Sequence, residues 1–268
     1  MAKYALCIGI NNYPGTQNDL SGCVNDANDW AAELKARGFA TKLMLDAAAT
    51  KNAMVEGMRE VIGKGKYGDA VVITYSGHGT WEVDENGDEP DKRDEALCPH
   101  DLAAGPLLDD ELYDIFAERE RGVRLIMISD SCHSGTVTRF FRELEEKRPR
   151  VKFLAPEDYP QNRNRLPRMR MIERAPSRGR SRGGALLLAG CQDTEFSYDA
   201  WFGGRANGAF TRVALDELKK LTKDDNYSTW FKAIRSRLPS TAYSQTPNLV
   251  ATATQKKWPV LESLKNND

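Results

Sequence analysis

Two short stretches carry residue types that can do nucleophilic chemistry. In AVVITYSGHGT, His78 stands between Gly77 and Gly79, and in RLIMISDSCHSGT, Cys132 is followed by His133 and, two residues later, Gly135. Each lies just past an apolar run, in a Gly-containing exit where missing side chains let backbone approach a substrate. If the two runs are neighbouring parallel strands, imidazole and thiol fall within reach of one another as base and nucleophile. A free thiol of pKa about 8.5 is mostly protonated at neutral pH, so an adjacent imidazole is what makes it competent. The other cysteines invite blander readings. Cys7 and Cys191, in or just past apolar runs, read as small hydrophobes. Cys98, His100, Cys132 and His133 lack the regular spacing of a zinc site, and His133 reads as a spectator.

The elements that must position this pair follow from apolar patterning. Non-alternating apolar runs at 4–10, 39–45, 70–75, 123–128 and 185–189 each end in Gly, Asn, Asp or Ser, which predicts strands buried on both faces. Between and after them, amphipathic stretches at 24–37, 51–64, 109–121, 208–221 and 229–238 predict helices. Alternating strand and helix give an α/β fold with a mostly parallel sheet, whose chemistry lies beyond the carboxyl ends of its strands. His78 and Cys132 lie at two such ends.

The 268 residues carry a formal net charge of -1. A chain of this length buries roughly 70 to 75% of its unfolded surface and needs no staples. Near-neutral balance excludes a whole-protein field that recruits nucleic acid or anionic membrane. Five cysteines without a CxxC pair argue against a disulfide framework and for a reducing compartment. The apolar start MAKYALCIGI is too brief for a secretory core, and no run nears the ~20 apolar residues of a membrane span. The expected location is cytoplasmic. Charge is nevertheless segregated: residues 84–111 hold eleven acids against Lys92 and Arg93, while residues 139–182 hold fourteen basic and six acidic residues, closing in RAPSRGRSRGG. The basic stretch is expected to be mobile and exposed, attached to an acidic body.

The segments YALCIGINNYP, LSGCVNDAND, VVITYSGHGT, DEALCPHDL, LLDDEL, LIMISDSCHSGT, LLLAGCQDTEFSYD and NGAFTRVAL span nearly the whole chain. Together they resemble the caspase-like cysteine peptidases, peptidase family C14, and among them the metacaspases and their bacterial relatives, the orthocaspases. The resemblance implies a caspase-like fold, with a six-stranded mostly parallel sheet flanked by helices on both faces. It implies one peptidase domain over 1–268, with a large-subunit-like region at 1–138, a basic flexible linker at 139–183 and a small-subunit-like region at 184–268. His78 would be general base and later acid, Cys132 the nucleophile, and the backbone amides of Gly79 and Cys132 the oxyanion hole. No organic cofactor is required, and a monomer is expected.

The family's first specificity pocket matches Cys23, Asp26, Ser76 and Asp130. Independently of that, Asp26 starts the helix after the first strand and Asp130 precedes the nucleophile by two residues, so both can face one crevice. A carboxylate pair in a partly desolvated slot binds a guanidinium bidentately and repels an Asp side chain. Cleavage after Arg, more readily than Lys, is therefore expected, on protein or peptide substrates that expose such residues. Alternatively Asp26 only caps its helix. The resemblance also implies self-processing in the linker, with Arg170, Arg174, Arg178, Arg180 and Arg182 as candidates. It implies Ca²⁺ near Asp94, Asp109 and Asp110, but Arg139 stands where the family has a further carboxylate, which removes a donor and adds repulsion. Two other functions fit parts of the chain. The Arg- and Gly-rich segment 163–184 could hold nucleic acid, although it lacks interleaved aromatics; or the fold could be a scaffold without catalysis, although both His and Cys are present.

Overall fold

The computed structural model describes residues 1–83, 93–132, 149–159, 184–192 and 195–264. In chain order the principal elements are β1 (Lys3–Gly9), α1 (Cys23–Ala36), β2 (Ala40–Leu45), α2 (Lys51–Lys64), β3 (Ala70–Ser76), β4 (Gly79–Val83), β5 (Arg93–Leu97) and β6 (Leu107–Leu108). There follow α3 (Asp109–Ala117), β7 (Arg124–Asp130), β8 (Arg150–Val151), β9 (Leu186–Ala189), β10 (Tyr198–Phe202), β11 (Arg205–Gly208), α4 (Ala209–Leu218), α5 (Tyr227–Arg235) and β12 (Asn248–Val250).

Six strands form the central sheet in the order β12-β9-β7-β3-β1-β2. All neighbours are parallel except β12, which runs antiparallel to β9. Strands β3 and β7 are buried at every position because layers cover both faces. Successive residues alternate between those layers. Leu6, Ile8, Val71, Ile73, Leu125 and Met127 pack with Met54, Met58 and Ile62 of α2 and Leu112, Ile115 and Phe116 of α3. On the opposite face, Ala5, Cys7, Val72, Ile126 and Ile128 pack with Trp30 and Leu34 of α1, Phe210 and Leu218 of α4 and Trp230 and Ile234 of α5. Cys7 is the small hydrophobe its sequence context suggests.

Helix α1 buries Cys23, Ala27, Trp30, Ala31 and Leu34, one stripe at helical spacing. It ends where Gly38, at φ +84, turns the chain so that the amides of Gly38 and Phe39 close on the carbonyls of Lys35 and Leu34, at 3.0 Å each. The chain is thereby delivered into β2.

Three features depart from the sequence expectations. Strand β2 is an edge strand rather than one buried on both faces, with Ala40, Lys42 and Leu43 exposed, because only β1 flanks it. Two small three-stranded sheets, β4-β5-β6 and β11-β10-β8, supplement the central one; their strands are too short and too polar to stand out as apolar runs. Thirdly, residues 149–159 of the stretch expected to be a flexible linker are built into the protein. Lys152 and Leu154 are fully buried and Tyr159 nearly so. Among the described residues, no helix is long and apolar enough to cross a membrane.

Trp230 of α5 is fully buried, meets Trp30 of α1 edge-on at 6.2 Å and donates its indole N–H to the Ala214 carbonyl of α4 at 3.0 Å. Trp230→Ala should lower unfolding stability by about 3–5 kcal/mol through the cavity and the orphaned carbonyl. Urea denaturation monitored by circular dichroism measures this directly.

Candidate active site

The register places the two chemical residues at one level of the sheet. Ser76 pairs with Asp130 as the last residues of β3 and β7, and His78 and Cys132 each come two residues later. At these exits the amides of Gly79 and Cys132 converge on a single acceptor, the backbone carbonyl oxygen of Lys152, at 3.0 and 3.2 Å. Two N–H groups aimed at one carbonyl oxygen are the arrangement that stabilises an oxyanion. The Lys152 amide in turn donates to the Ser197 carbonyl at 2.9 Å, and Leu154 donates to the Gly79 carbonyl at 2.9 Å.

The Lys152 side chain enters a slot closed on every side. Its ammonium lies 3.1 Å from Asp26 Oδ2, 3.2 Å from Asp130 Oδ2 and 2.9 Å from Ser76 Oγ, and all four side chains are buried. Further donors fix the carboxylates. Asp26 accepts from Ser76 Oγ at 2.7 Å, Asn207 Nδ2 at 2.9 Å and the Gly208 amide at 2.9 Å. Asp130 accepts from the Thr211 amide at 3.0 Å, from Thr211 Oγ1 at 2.7 Å and from Ser197 Oγ. Burial works against the Lys152 charge, but Asp130, Asp26 and Asp199 outweigh it and hold its pKa well above the usual lysine range. Cys23 is fully buried at the start of α1 and belongs to the same surroundings. Thus the structure brings Cys23, Asp26, Ser76 and Asp130 together around one cation.

His78 is 2% exposed. Its Nε2 lies 2.5 Å from the Asn18 carbonyl oxygen, which can only accept, so Nε2 carries the hydrogen and the neutral ring keeps a lone pair on Nδ1. That Nδ1 is buried without a hydrogen-bond partner. Tyr13 fixes the ring's base: its hydroxyl accepts from the His78 amide at 2.7 Å, and its ring packs 4.6 Å from the imidazole. Burial pushes the His78 pKa down to about 4, against opposing pulls from the Asn18 and Lys152 carbonyls. Cys132 is fully buried in a small apolar cluster with Trp81, Phe153 and Cys191, and burial pushes its thiol up to about 12. Both groups are neutral in this state.

This geometry can be set against known proteins. The chain matches the peptidase C14 profile, the caspase domain, over residues 2–258. It belongs to the caspase-domain family. Metacaspase-7 of Arabidopsis thaliana is 40% identical over 145 residues, covering 50% of this chain and 35% of that protein. Metacaspase-1 of Schizosaccharomyces pombe is 30% identical over 291 residues, covering 92% of this chain and 66% of its own length. The chain therefore spans about a third of the plant relative and two thirds of the fungal one. A crystal structure of a Geobacter sulfurreducens protein superposes on 99% of this chain and 100% of that one, with TM-score 0.74 and 29% identity. Caspase-1 of Spodoptera frugiperda shares the fold, with TM-score 0.57 and 12% identity over 93% of this chain and 86% of that one.

Other expected residues of this caspase domain fall outside its slot. Asp94 lies on β5, and Asp109 and Asp110 open α3 directly after β6, the antiparallel partner of β5. Among the described residues, no group of three or more His, Cys, Asp or Glu is arranged to hold a metal. His133, Arg139, Arg170, Arg174, Arg178, Arg180, Arg182 and most of segment 163–184 lie outside the described residues. The sequence reading missed Lys152, Asn18, Asn207, Thr211, Ser197 and Asp199. Asp199 is buried beside the slot, where burial raises its pKa to about 6 against the pull of Lys152. No motif in the sequence marks Lys152 among its many basic neighbours; only its pairing does.

Two predictions follow from this packing. A Cβ on Gly208 would collide with Asp130 Oδ2 and Lys152 Nζ, and would lie 2.8 Å from Asp26 Oδ2, so Gly208→Ala should cost about 1–3 kcal/mol of stability in urea denaturation. The second concerns pH. Because the His78 pKa is lowered on folding, from 6.5 to about 4, the unfolded chain binds more protons between those values. Its stabilising share is complete above pH 6.5 and is lost as pH falls toward 4. Between pH 7 and pH 4.5, wild type should lose about 2 kcal/mol more than His78→Gln; equal losses in paired urea titrations would refute the buried, neutral ring.

Proposed function

We propose that this caspase domain is a cysteine endopeptidase that cleaves peptide bonds after Arg or Lys through His78 and Cys132. The observation that carries this reading is Lys152: a basic side chain lies between two buried carboxylates while its own carbonyl oxygen receives the amides of Gly79 and Cys132. A substrate residue bound the same way would present its carbonyl carbon to the Cys132 sulfur.

In the proposed reaction, His78 Nδ1 takes the thiol proton as Cys132 Sγ attacks that carbon. The tetrahedral oxyanion is held by the two amides. His78 then gives the proton to the departing amine, and the carbon–nitrogen bond breaks to leave a thioester. Water, deprotonated by the same ring, releases the acid and regenerates the thiol. The Asn18 carbonyl keeps the ring in the tautomer that begins this cycle, and it stabilises the imidazolium formed midway. Asp26 and Asp130 supply selectivity, since a carboxylate entering their slot would meet two like charges in a desolvated site. Self-processing within 139–183 is part of the same reading, because that stretch is rich in the residues the slot accepts.

Matched fluorogenic peptides ending in Arg, Lys or Asp before the reporter test the proposal. Arg and Lys peptides should be turned over at a kcat/KM at least about a hundredfold above the Asp peptide, and Cys132→Ala should lower kcat by at least about a thousandfold. A preference for Asp, or full turnover by Cys132→Ala, would overturn it.

A further inference from the structure

His78 is held by its backbone as well as by its ring, and both polar groups of that backbone end on tyrosine hydroxyls. The His78 amide donates to Tyr13 Oη at 2.7 Å, while Tyr75 Oη lies 2.6 Å from the His78 carbonyl oxygen and 2.9 Å from that of Cys98. A carbonyl can only accept, so the single Tyr75 proton is directed at these two oxygens. Tyr13 and Tyr75 are hydrogen-bonded to each other, and with the Tyr75 proton so committed, Tyr13 is the donor. The bonds close into a circuit, from the His78 amide to Tyr13, from Tyr13 to Tyr75, and from Tyr75 back to the His78 carbonyl. It leaves no room at Gly77, where a Cβ would lie 2.6 Å from both hydroxyl oxygens. Both tyrosines are buried, and burial holds their pKa values well above the usual phenol range, which keeps both protons in place.

Two elements supply the circuit. Tyr75 is the penultimate residue of β3, and Tyr13 lies in the loop between β1 and α1. That loop also brings the Asn18 carbonyl to His78 Nε2, and it is tied across by the Tyr13 amide on Asp19 Oδ1 and the Leu20 amide on the Asn11 carbonyl, each at 2.8 Å. Tyr13 therefore touches the backbone of His78, one face of its ring, and the loop that selects its tautomer. Resting on the proposed peptidase activity, we infer that Tyr13 and Tyr75 are positioning residues for that reaction, their paired hydroxyls clamping the His78 peptide so that the imidazole stays where it can exchange a proton with Cys132. A displacement of about 1 Å in a reacting group can cost on the order of a hundredfold in rate, and a supporting layer of hydrogen bonds is what prevents it. The carboxylates of the slot are fixed by other donors, so removing either hydroxyl acts on kcat rather than on KM.

The test uses full-length wild type, Tyr13→Phe, Tyr75→Phe and the double variant, each followed by turnover of an Arg peptide and by nitrogen-15 NMR of the histidine rings, with His78→Gln identifying the His78 signals. Wild type should show His78 as the Nε2–H tautomer. Each single variant should lower kcat about tenfold or more with KM held within about twofold, and its His78 signals should shift or broaden. The double variant should be no more than about twofold worse than the poorer single one, because both hydroxyls act through one ring. Thermal unfolding checks that each variant is folded. Tyr75→Phe leaves the His78 carbonyl its bond from the Cys98 amide, at 3.0 Å, and keeps the test decisive if Tyr13→Phe fails to fold. Wild-type kcat in the folded tyrosine variants, with turnover present, overturns this inference and spares the peptidase reading. So does a loss of kcat with unchanged His78 signals, or a KM that rises as far as kcat falls. Folded wild type that cuts no Arg or Lys peptide overturns the peptidase reading, and the inference with it.

Discussion

Two carboxylates buried side by side need a cation between them, and the rest of the site is arranged around that requirement. Asp26 and Asp130 come from the first turn of α1 and the last residue of β7, and each is fixed by donors from the α4 end of the chain, Asn207, Gly208 and Thr211. Removing a partner from a buried ion pair typically costs 3–5 kcal/mol, because a charge is left without water or counter-ion. A basic group in the slot is therefore held by the same charges that would be left unpaired without one. Here the chain supplies the cation itself.

The same economy of placement governs the backbone. Parallel pairing of β3 with β7 ends both strands at one level, so the residues beyond them leave the sheet together and their amides face a common point. A sheet edge at β10 then accepts β8, and its register sets which residue faces the slot. A slip of one residue would send Lys152 to the opposite side and put Val151 or Phe153 against the carboxylates. The placement of the Lys152 charge thus rests on strand register as much as on the acids.

In the described state the two chemical side chains are uncharged. Burial holds His78 and Cys132 neutral, and the Asn18 carbonyl selects the tautomer whose free lone pair is on Nδ1. Phe153 shares a buried apolar cluster with the thiol, together with Trp81 and Cys191. One short segment, 152–153, thus both fills the slot and adds to the apolar surroundings of the thiol.

Much of this was legible in the chain itself. The apolar runs gave all five predicted strands and their helices to within a few residues, because the four inner strands are largely buried and leave a plain sequence mark and the edge strand β2 still carries enough apolar residues to show, and His78 and Cys132 stood out as polar groups at strand ends. Asp26 and Asp130 could be placed on one crevice because each had a fixed offset from a predictable element. The small sheets, the edge position of β2 and the burial of 149–159 were not legible, because pairing between distant short strands leaves no local periodicity. Lys152 is the clearest case. In sequence it is one cation in a basic stretch that reads as solvated, and only the tertiary structure, by bringing α1, β3, β7 and β10 around it, decides that its charge is buried and paired.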